Sequence, residues 1–213
     1  ESEAFIKDLG FDIVGLWTMP YFPVDTTAEI CGMIDAGASY CYGNISISHN
    51  STIMKDITRL GVKDKLQLLA NPYGTTEDIV EEGGDVVNGL VGVHYSALIG
   101  EMDKPGVKAA YDLSVKYGRK FVNDNLLGWT IGTVMVTALE RALNTVGYPI
   151  TGDDVYNAMI SPEGFDTGEA LPHITFPKDE RRGIWMVYMR AVEGGKIVRI
   201  SEDWTIPDMR PAE

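Results

Sequence analysis

The chain has 213 residues, of which 45% are hydrophobic and 23 are glycine, and it carries a formal charge of −13 at pH 7. That is enough for one large or two small globular domains with a real core. The acidic balance argues against a nucleic-acid backbone or an anionic membrane as partner, because clustered Lys and Arg hold both, and no uninterrupted apolar run approaches the ~20 residues of a membrane span.

Ala4, Phe5, Ile6 and Leu9 before Gly10 read as the tail of a helix already under way, and suggest that an N-terminal portion of the native protein is missing. Phe11–Met19 is an apolar run between Gly10 and Pro20, the pattern of a strand buried on both faces. Thr26-Thr27-Ala28-Glu29 has the spacing of a capping box and opens a helix that ends near Ala36-Gly37. A short strand, Ala38–Tyr42, follows. Asn50 or Ser51 is the expected cap of a helix through Ile53, Ile57 and Leu60, stopped by Gly61, and Lys65–Ala70 is a further apolar strand. Thr75 or Thr76 opens a short acidic helix ahead of a strand over Gly89–Tyr95. Four strands with intervening helices and short connections predict an α/β unit around a parallel sheet.

From Ser96 two helices follow with no strand between them, Lys104–Tyr117 and Asp124–Gly147. In the second, Leu127, Ile131, Val134, Met135, Ala138, Ala142 and Val146 recur at helical spacing, which predicts one core-facing stripe. Asp124 or Asn125 can cap its first turn, Gly147 can end it and Pro149 prevents continuation. Gly128 and Gly132 each cost about 1 kcal/mol of helix propensity, a reason to expect close approach of backbone or ligand there. Thr151 caps a third helix, and Ile184–Val192, the turn Glu193–Lys196 and Ile197–Ile200 read as an antiparallel hairpin. Cys31 and Cys41 fall on a helix and the next strand, without metal-ligand spacing, and read as two buried free thiols.

No nucleotide loop, nucleophile elbow or zinc-protease helix is present in the sequence, and His49, His94 and His173 lie on separate elements, so no catalytic, metal or cofactor role is assigned. Polar residues do follow the predicted strands. In open α/β sheets ligands bind beyond the carboxyl ends of the strands, where this chain has Gly43-Asn44-Ile45-Ser46 and Asn71-Pro72-Tyr73-Gly74. Asn123-Asp124-Asn125 with Trp129 sits at a positive helix end, which suits polar ligands. The competing reading is that all of these only make turns and caps.

An ordered set of segments resembles the C-terminal half to two-thirds of type I periplasmic substrate-binding proteins of the branched-chain amino acid (leucine-binding) transport family. They are Val24-Asp25-Thr26-Thr27, Gly89-Leu90-Val91-Gly92, Gly128-Trp129 with Ala138-Leu139-Glu140-Arg141-Ala142, Phe165-Asp166-Thr167-Gly168, Pro172–Phe176, Asp179–Gly183 and Asp203-Trp204. The resemblance implies a two-lobe α/β fold with parallel-sheet lobes, its N-terminal part missing. Residues 1–95 would be most of the C-terminal lobe, 96–183 the later part of the N-terminal lobe and 184–213 a return to the C-terminal lobe. It also implies a non-enzymatic, cofactor-free protein of the periplasm or cell exterior, either free or lipid-anchored. Such a protein holds a small organic solute between its lobes and delivers it to an ABC transporter permease, touching the membrane only through that transporter and binding no nucleic acid. The implied cleft positions fall at or beside Asn44 and Ser46, at Asn71 to Tyr73, and at Asp124 or Asn125, and so coincide with residues picked from position; Trp129, beside the same helix start, completes the candidate ligand-binding set. A ligand-sensing domain of a receptor or regulator is the nearest alternative, and an α/β enzyme using the Asp124 and Asn71 region a more distant one.

One departure bears on the ligand. The family's amino acid binders place an acidic residue just after the strand that here ends at Ala70, to pair with the ligand's ammonium group, whereas this chain has Asn71-Pro72-Tyr73. A buried ammonium without a countercharge costs several kcal/mol by order of magnitude. The expected solute is therefore a carboxylate-bearing or neutral molecule, aromatic or aliphatic, unless Asp124 or Glu77 supplies the charge.

Overall fold

Helix and strand alternate through the first half because each short apolar segment ends in a residue that breaks its pattern. In a computed structural model, which describes residues 2–180 and 182–207, the elements run in this order: α1 (Ser2–Asp8), α2 (Thr27–Asp35), β1 (Tyr40–Gly43), α3 (Ile47–Leu60), β2 (Gln67–Ala70), α4 (Glu77–Gly83), β3 (Val91–His94), α5 (Pro105–Lys116), α6 (Asn123–Val146), α7 (Gly152–Met159), β4 (Met186–Glu193), β5 (Lys196–Arg199) and β6 (Trp204–Thr205). They form two compact units, Glu1–Val93 with Met189–Ile200, and His94–Tyr188 with Ser201–Glu213.

In the first unit β1, β2 and β3 pair in parallel, and the order continues through β4 to the antiparallel β5. Gly194 and Gly195, both at positive φ, make the two-residue hairpin turn. Ile30, Ile53, Ile57, Leu66, Leu68, Ile79, Leu90 and Val192 are buried together as the core. Gly61 ends α3 in the left-handed conformation, as its position predicts.

Five local expectations change. Phe11–Met19 forms no strand: Leu16 is 91% exposed, and only Trp17 and Met19 pack on the core. Among the described residues no strand lies beside the run, and without a neighbour its backbone and apolar side chains have nothing to pair with. Three parallel strands are thus formed, not four. Helix α3 starts at Ile47 after Ser46, so Asn50 and Ser51 are fully buried inside it instead of capping it. The capping box at Thr26 does not close either, since the Thr26 hydroxyl and N–H both donate to Asp56 Oδ2 at 2.8 and 2.7 Å, and Asp25 accepts from the Thr27 N–H. Cys31 is an exposed thiol, and Cys41, half-buried, has its pKa raised by that burial.

Burial alone pushes the Asp56 carboxyl up, but the Thr26 N–H, the Arg59 guanidinium and the Thr26 hydroxyl outweigh it and hold it below its ordinary value of 3.8. Arg59 Nη2 donates to Asp56 Oδ1 at 2.8 Å and to the Thr27 hydroxyl at 2.6 Å. His49 and Thr52 extend the same face of α3: His49 Nε2 meets Pro20 O at 2.9 Å and the Thr52 hydroxyl reaches Pro23 O at 3.3 Å. Positions 49, 52, 56 and 59 form one helical stripe, and it fastens residues 20–27.

The second unit is helical, with the β4–β6 pair at Met186–Val187. Here the predicted stripe of α6 splits. Leu126, Thr130, Val134, Ala138 and Ala142 are buried, a run of four-residue steps, while Ile131, Met135 and Val146 are exposed. An apolar arc wider than its covered side leaves the remainder open. Gly128 and Gly132 likewise face open space, so no close contact among the described residues accounts for them. By length and composition α6 could cross a membrane, although polar residues interrupt its apolar run. Its buried side packs on Val107, Ala110 and Ala170, and on Phe165, Leu171 and Ile174. Gly106 admits Thr167 O where a Cβ would stand, 1.9 Å away.

Two outcomes are expected. The isolated 213-residue chain should self-associate through the open apolar side of α6; sedimentation and calorimetry check this, and a monomeric, cooperatively melting species would contradict it. Asp56→Asn should lower stability at neutral pH by about 1–3 kcal/mol, because it leaves buried donors poorly paired. Since the folded carboxyl titrates below its unfolded value, the wild-type advantage is present above pH ~4 and is lost as pH falls through the folded pKa. Urea denaturation across this window should show a shallower acid loss in the variant.

Candidate functional site

The parallel register sets Gly43 opposite Ala70, so the residues that follow each strand, Asn44 and Asn71, are neighbours at the carboxyl end of the sheet. Asn71 Nδ2 donates to Asn44 Oδ1 at 2.9 Å, and Asn71 Oδ1 accepts from the Gly74 N–H at 3.0 Å. The Gly74 donor decides the amide orientation, because only the oxygen can face an N–H. Asn71 is buried and engaged at both ends of its amide, while Asn44 is exposed and uses its Oδ1, not its Nδ2, in the pair's bond.

Ser46 ends the loop after β1. Its hydroxyl lies 2.8 Å from His49 Nδ1 and 3.0 Å from the Ser48 hydroxyl, and makes no cap bond to α3. Because Pro20 O can only accept, His49 Nε2 carries the proton, and in the neutral ring Nδ1 accepts from Ser46. Sequence position offered one clue to this pairing, a His three residues after a Ser at a helix start. Tyr73, in the short 3₁₀ turn Pro72–Gly74, is 61% exposed. Asn44, Ser46, Asn71 and Tyr73 together offer amides, hydroxyls and an aromatic face, and no carboxylate.

Gly74 is required by packing. A Cβ there would lie 1.9 Å from Asn50 Nδ2 and 3.0 Å from the Ala70 Cβ. Asn50 is fully buried, and its amide atoms have no hydrogen-bond partner among the described residues. Glu77 Oε2 and Thr76 Oγ1 are also buried and unpartnered, so Glu77 is directed inward at the start of α4.

In the second unit Asp124, Asn125, Gly128 and Trp129 line an open groove of about 630 Å³ between α5 and α6, with Tyr117 and Arg119. Asn125 Oδ1 accepts from the Val122 N–H at 3.0 Å and so caps α6, whereas Asp124 is exposed. Trp129 packs partly on the cluster of Ala97, Val107 and Leu126. Beside this helix start lies a buried polar network. The Ser96 hydroxyl donates to Asn123 Oδ1 at 3.1 Å, the Ser96 N–H donates to His94 Nδ1 at 3.0 Å, and the Tyr188 hydroxyl donates to Ser96 O.

The sequence profile of the periplasmic binding protein family matches residues 1–196, and the chain belongs to that family. Members of the family are solute-binding proteins, not enzymes; they act outside the cytoplasm and work with ABC transporters. Among solved structures, a branched-chain amino acid ABC transporter protein of Thermus thermophilus with bound valine is 26% identical, with a TM-score of 0.83 over 94% of this chain. A substrate-binding protein of Aeropyrum pernix is 17% identical, with a TM-score of 0.83 over 97%. A solute-binding protein of Rhodopseudomonas palustris HaA2 in complex with p-hydroxybenzoic acid is 18% identical, with a TM-score of 0.71 over 95%. This chain spans about 55% of the length of each. No curated protein matches. The mixed α/β fold with its mainly parallel sheet is that of type I periplasmic binding proteins.

Gly74→Ala should displace the Pro72–Gly74 turn and cost about 1–3 kcal/mol of stability. Combining it with Asn50→Ala should recover part of that loss, since the two sites share one space. A thermal-denaturation double-mutant cycle checks this, and additive losses would contradict the packing argument.

Proposed function

We propose that the intact protein is an extracytoplasmic receptor that captures a small carboxylate-bearing or neutral organic solute between two lobes and presents it to an ABC transporter permease. In this reading residues 1–95 belong to the C-terminal lobe, 96–183 to the N-terminal lobe and 184–213 to a return toward the first. The proposed solute contacts are Asn44, Ser46, Asn71 and Tyr73 from one lobe and Asp124, Asn125 and Trp129 from the other. The family assignment supports the receptor role.

The observation that carries the solute class is the carboxylate-free set at the ends of β1 and β2. Asn71 already bonds Asn44 and Gly74, and Ser46 already bonds His49 and Ser48, so within this set the Asn44 amide donors and the Tyr73 ring are the most open groups. Donors suit a carboxylate or carbonyl oxygen. They do not balance an ammonium group, whose burial without a countercharge is costly. Of the two carboxylates that could supply that charge, Glu77 turns one oxygen into the protein interior, and Asp124 is exposed on the other unit. Similar solved structures hold both kinds of solute, valine in one and p-hydroxybenzoic acid in another, so the fold admits either.

Calorimetric titration of the full-length protein against leucine, isoleucine, valine, benzoate and p-hydroxybenzoate tests the reading. Binding of at least one aromatic acid, tighter than that of leucine, is expected. Micromolar or tighter binding of leucine alone would refute the proposed solute class, while leaving the receptor role intact.

A further inference from the structure

Residues 20–26 have no helix or strand of their own, yet the polar stripe of α3 holds them at Pro20, Pro23 and Thr26, and also holds Thr27 at the start of α2. This fastened segment carries two aromatic side chains in the open: Tyr21 is 72% exposed and Phe22 75%. Their rings meet edge to face, with centroids 4.7 Å apart. Tyr21 also meets the His49 ring edge to face, at 5.9 Å. The same His49 ring accepts from Ser46, one of the proposed solute contacts, and donates to the backbone of Pro20 next to Tyr21.

Two exposed rings on an anchored backbone are an arrangement that core packing does not explain, because most of their area stays in water. Rings on a backbone fastened on both sides, which also meet each other and His49 edge to face, lose less entropy on meeting a flat ligand than rings on a free chain. Continuity with the site runs through single contacts, from Asn44 along the loop to Ser46, from Ser46 to His49, and from His49 to Tyr21. Valine or leucine would gain only apolar contact from such rings, whereas a planar ring gains edge and face geometry as well.

We propose that Tyr21 and Phe22, positioned by His49, form an aromatic rim of the solute site that receives the ring of a planar organic acid or its neutral analogue. The proposal rests on the solute-binding reading above and narrows it to aromatic solutes. His49 acts here as a positioning residue through Pro20 and Ser46, and Tyr21 and Phe22 as the residues that decide specificity.

The test is calorimetric titration of the full-length protein with benzoate, p-hydroxybenzoate and leucine, for wild type and for Tyr21→Ala, Phe22→Ala, Tyr21→Phe and Tyr148→Ala. Tyr148 is a still more exposed aromatic of the other unit and serves as control. Each alanine at 21 or 22 is expected to weaken the aromatic acids by about fivefold to tenfold, as loss of an aromatic contact would. Tyr21→Phe and Tyr148→Ala should stay within about twofold of wild type, since a ring is kept in one and the rim is untouched in the other. Thermal denaturation should be little changed, as the rings contribute little to the core. If wild type binds an aromatic acid and neither alanine variant alters its affinity, the rim is overturned and the receptor reading stands. If wild type binds leucine and no aromatic acid, the rim is overturned together with the proposed solute class. If it binds none of the three, both this proposal and the solute reading fail.

Discussion

The first unit depends on a carboxylate that has more to do than pair with a cation. Asp56, buried on α3, accepts from both the backbone and the hydroxyl of Thr26 at the start of α2 and is itself held by Arg59. A buried charge is tolerated when its lone pairs are filled by well-placed donors, and here four donor contacts converge on its two oxygens. The consequence is positional. Once α3 is tied to Thr26, the turns of α3 that precede Asp56 present Thr52 and His49 to Pro23 and Pro20. The segment that leads into α2 is then held along most of its length.

The site is built from the ends of the same elements. Two parallel strands in register bring Asn44 and Asn71 together without any specific side-chain attraction being required beforehand, and their hydrogen bond then fixes which amide faces outward. The Ser46 hydroxyl serves His49 in place of the first turn of α3, which joins the site to the fastened segment. The most open groups there are the Asn44 amide donors and the Tyr73 ring. In the proposed receptor, specificity would come from which polar groups the wrong ligand leaves unsatisfied, and by that reading an ammonium group is what the ends of β1 and β2 satisfy least.

Much of the architecture was legible in the residues. Gly61, Gly194-Gly195, Thr151 and Pro105 punctuate the chain by rules of local conformation, and the helices and hairpin they bound fall where those rules place them. The position of Asn44 and Asn71 after their strands was legible for the same reason. Phe11–Met19 was misread because an apolar run states only that burial would be favourable, while a strand also needs a neighbour to pair with. The stripe of α6 was misread because its apolar residues span more of the helix circumference than its partners cover, and periodicity alone does not say which arc is covered. Thr26 and Asn50 show a third cause. Their side chains suit caps, but distant residues claimed the first, and the early start of α3 enclosed the second.

What the sequence determined by itself is local: where most helices start and stop, with α3 an exception at its start, where the glycine turn falls, which residues follow each strand, and the overall acidic charge. These follow from backbone sterics and from hydrogen bonds between residues a few positions apart. The family resemblance was also readable, since it rests on an ordered set of segments. Only the tertiary structure decided that Asp56 meets Thr26 thirty residues away, that His49 joins Ser46 to Pro20, that Tyr21 and Phe22 stand in the open, and that Gly74 yields its space to Asn50. Each of those depends on which surfaces come together when the chain packs. That outcome is set by volume and by competition among many partners, and neither is written in the spacing of residues along one segment.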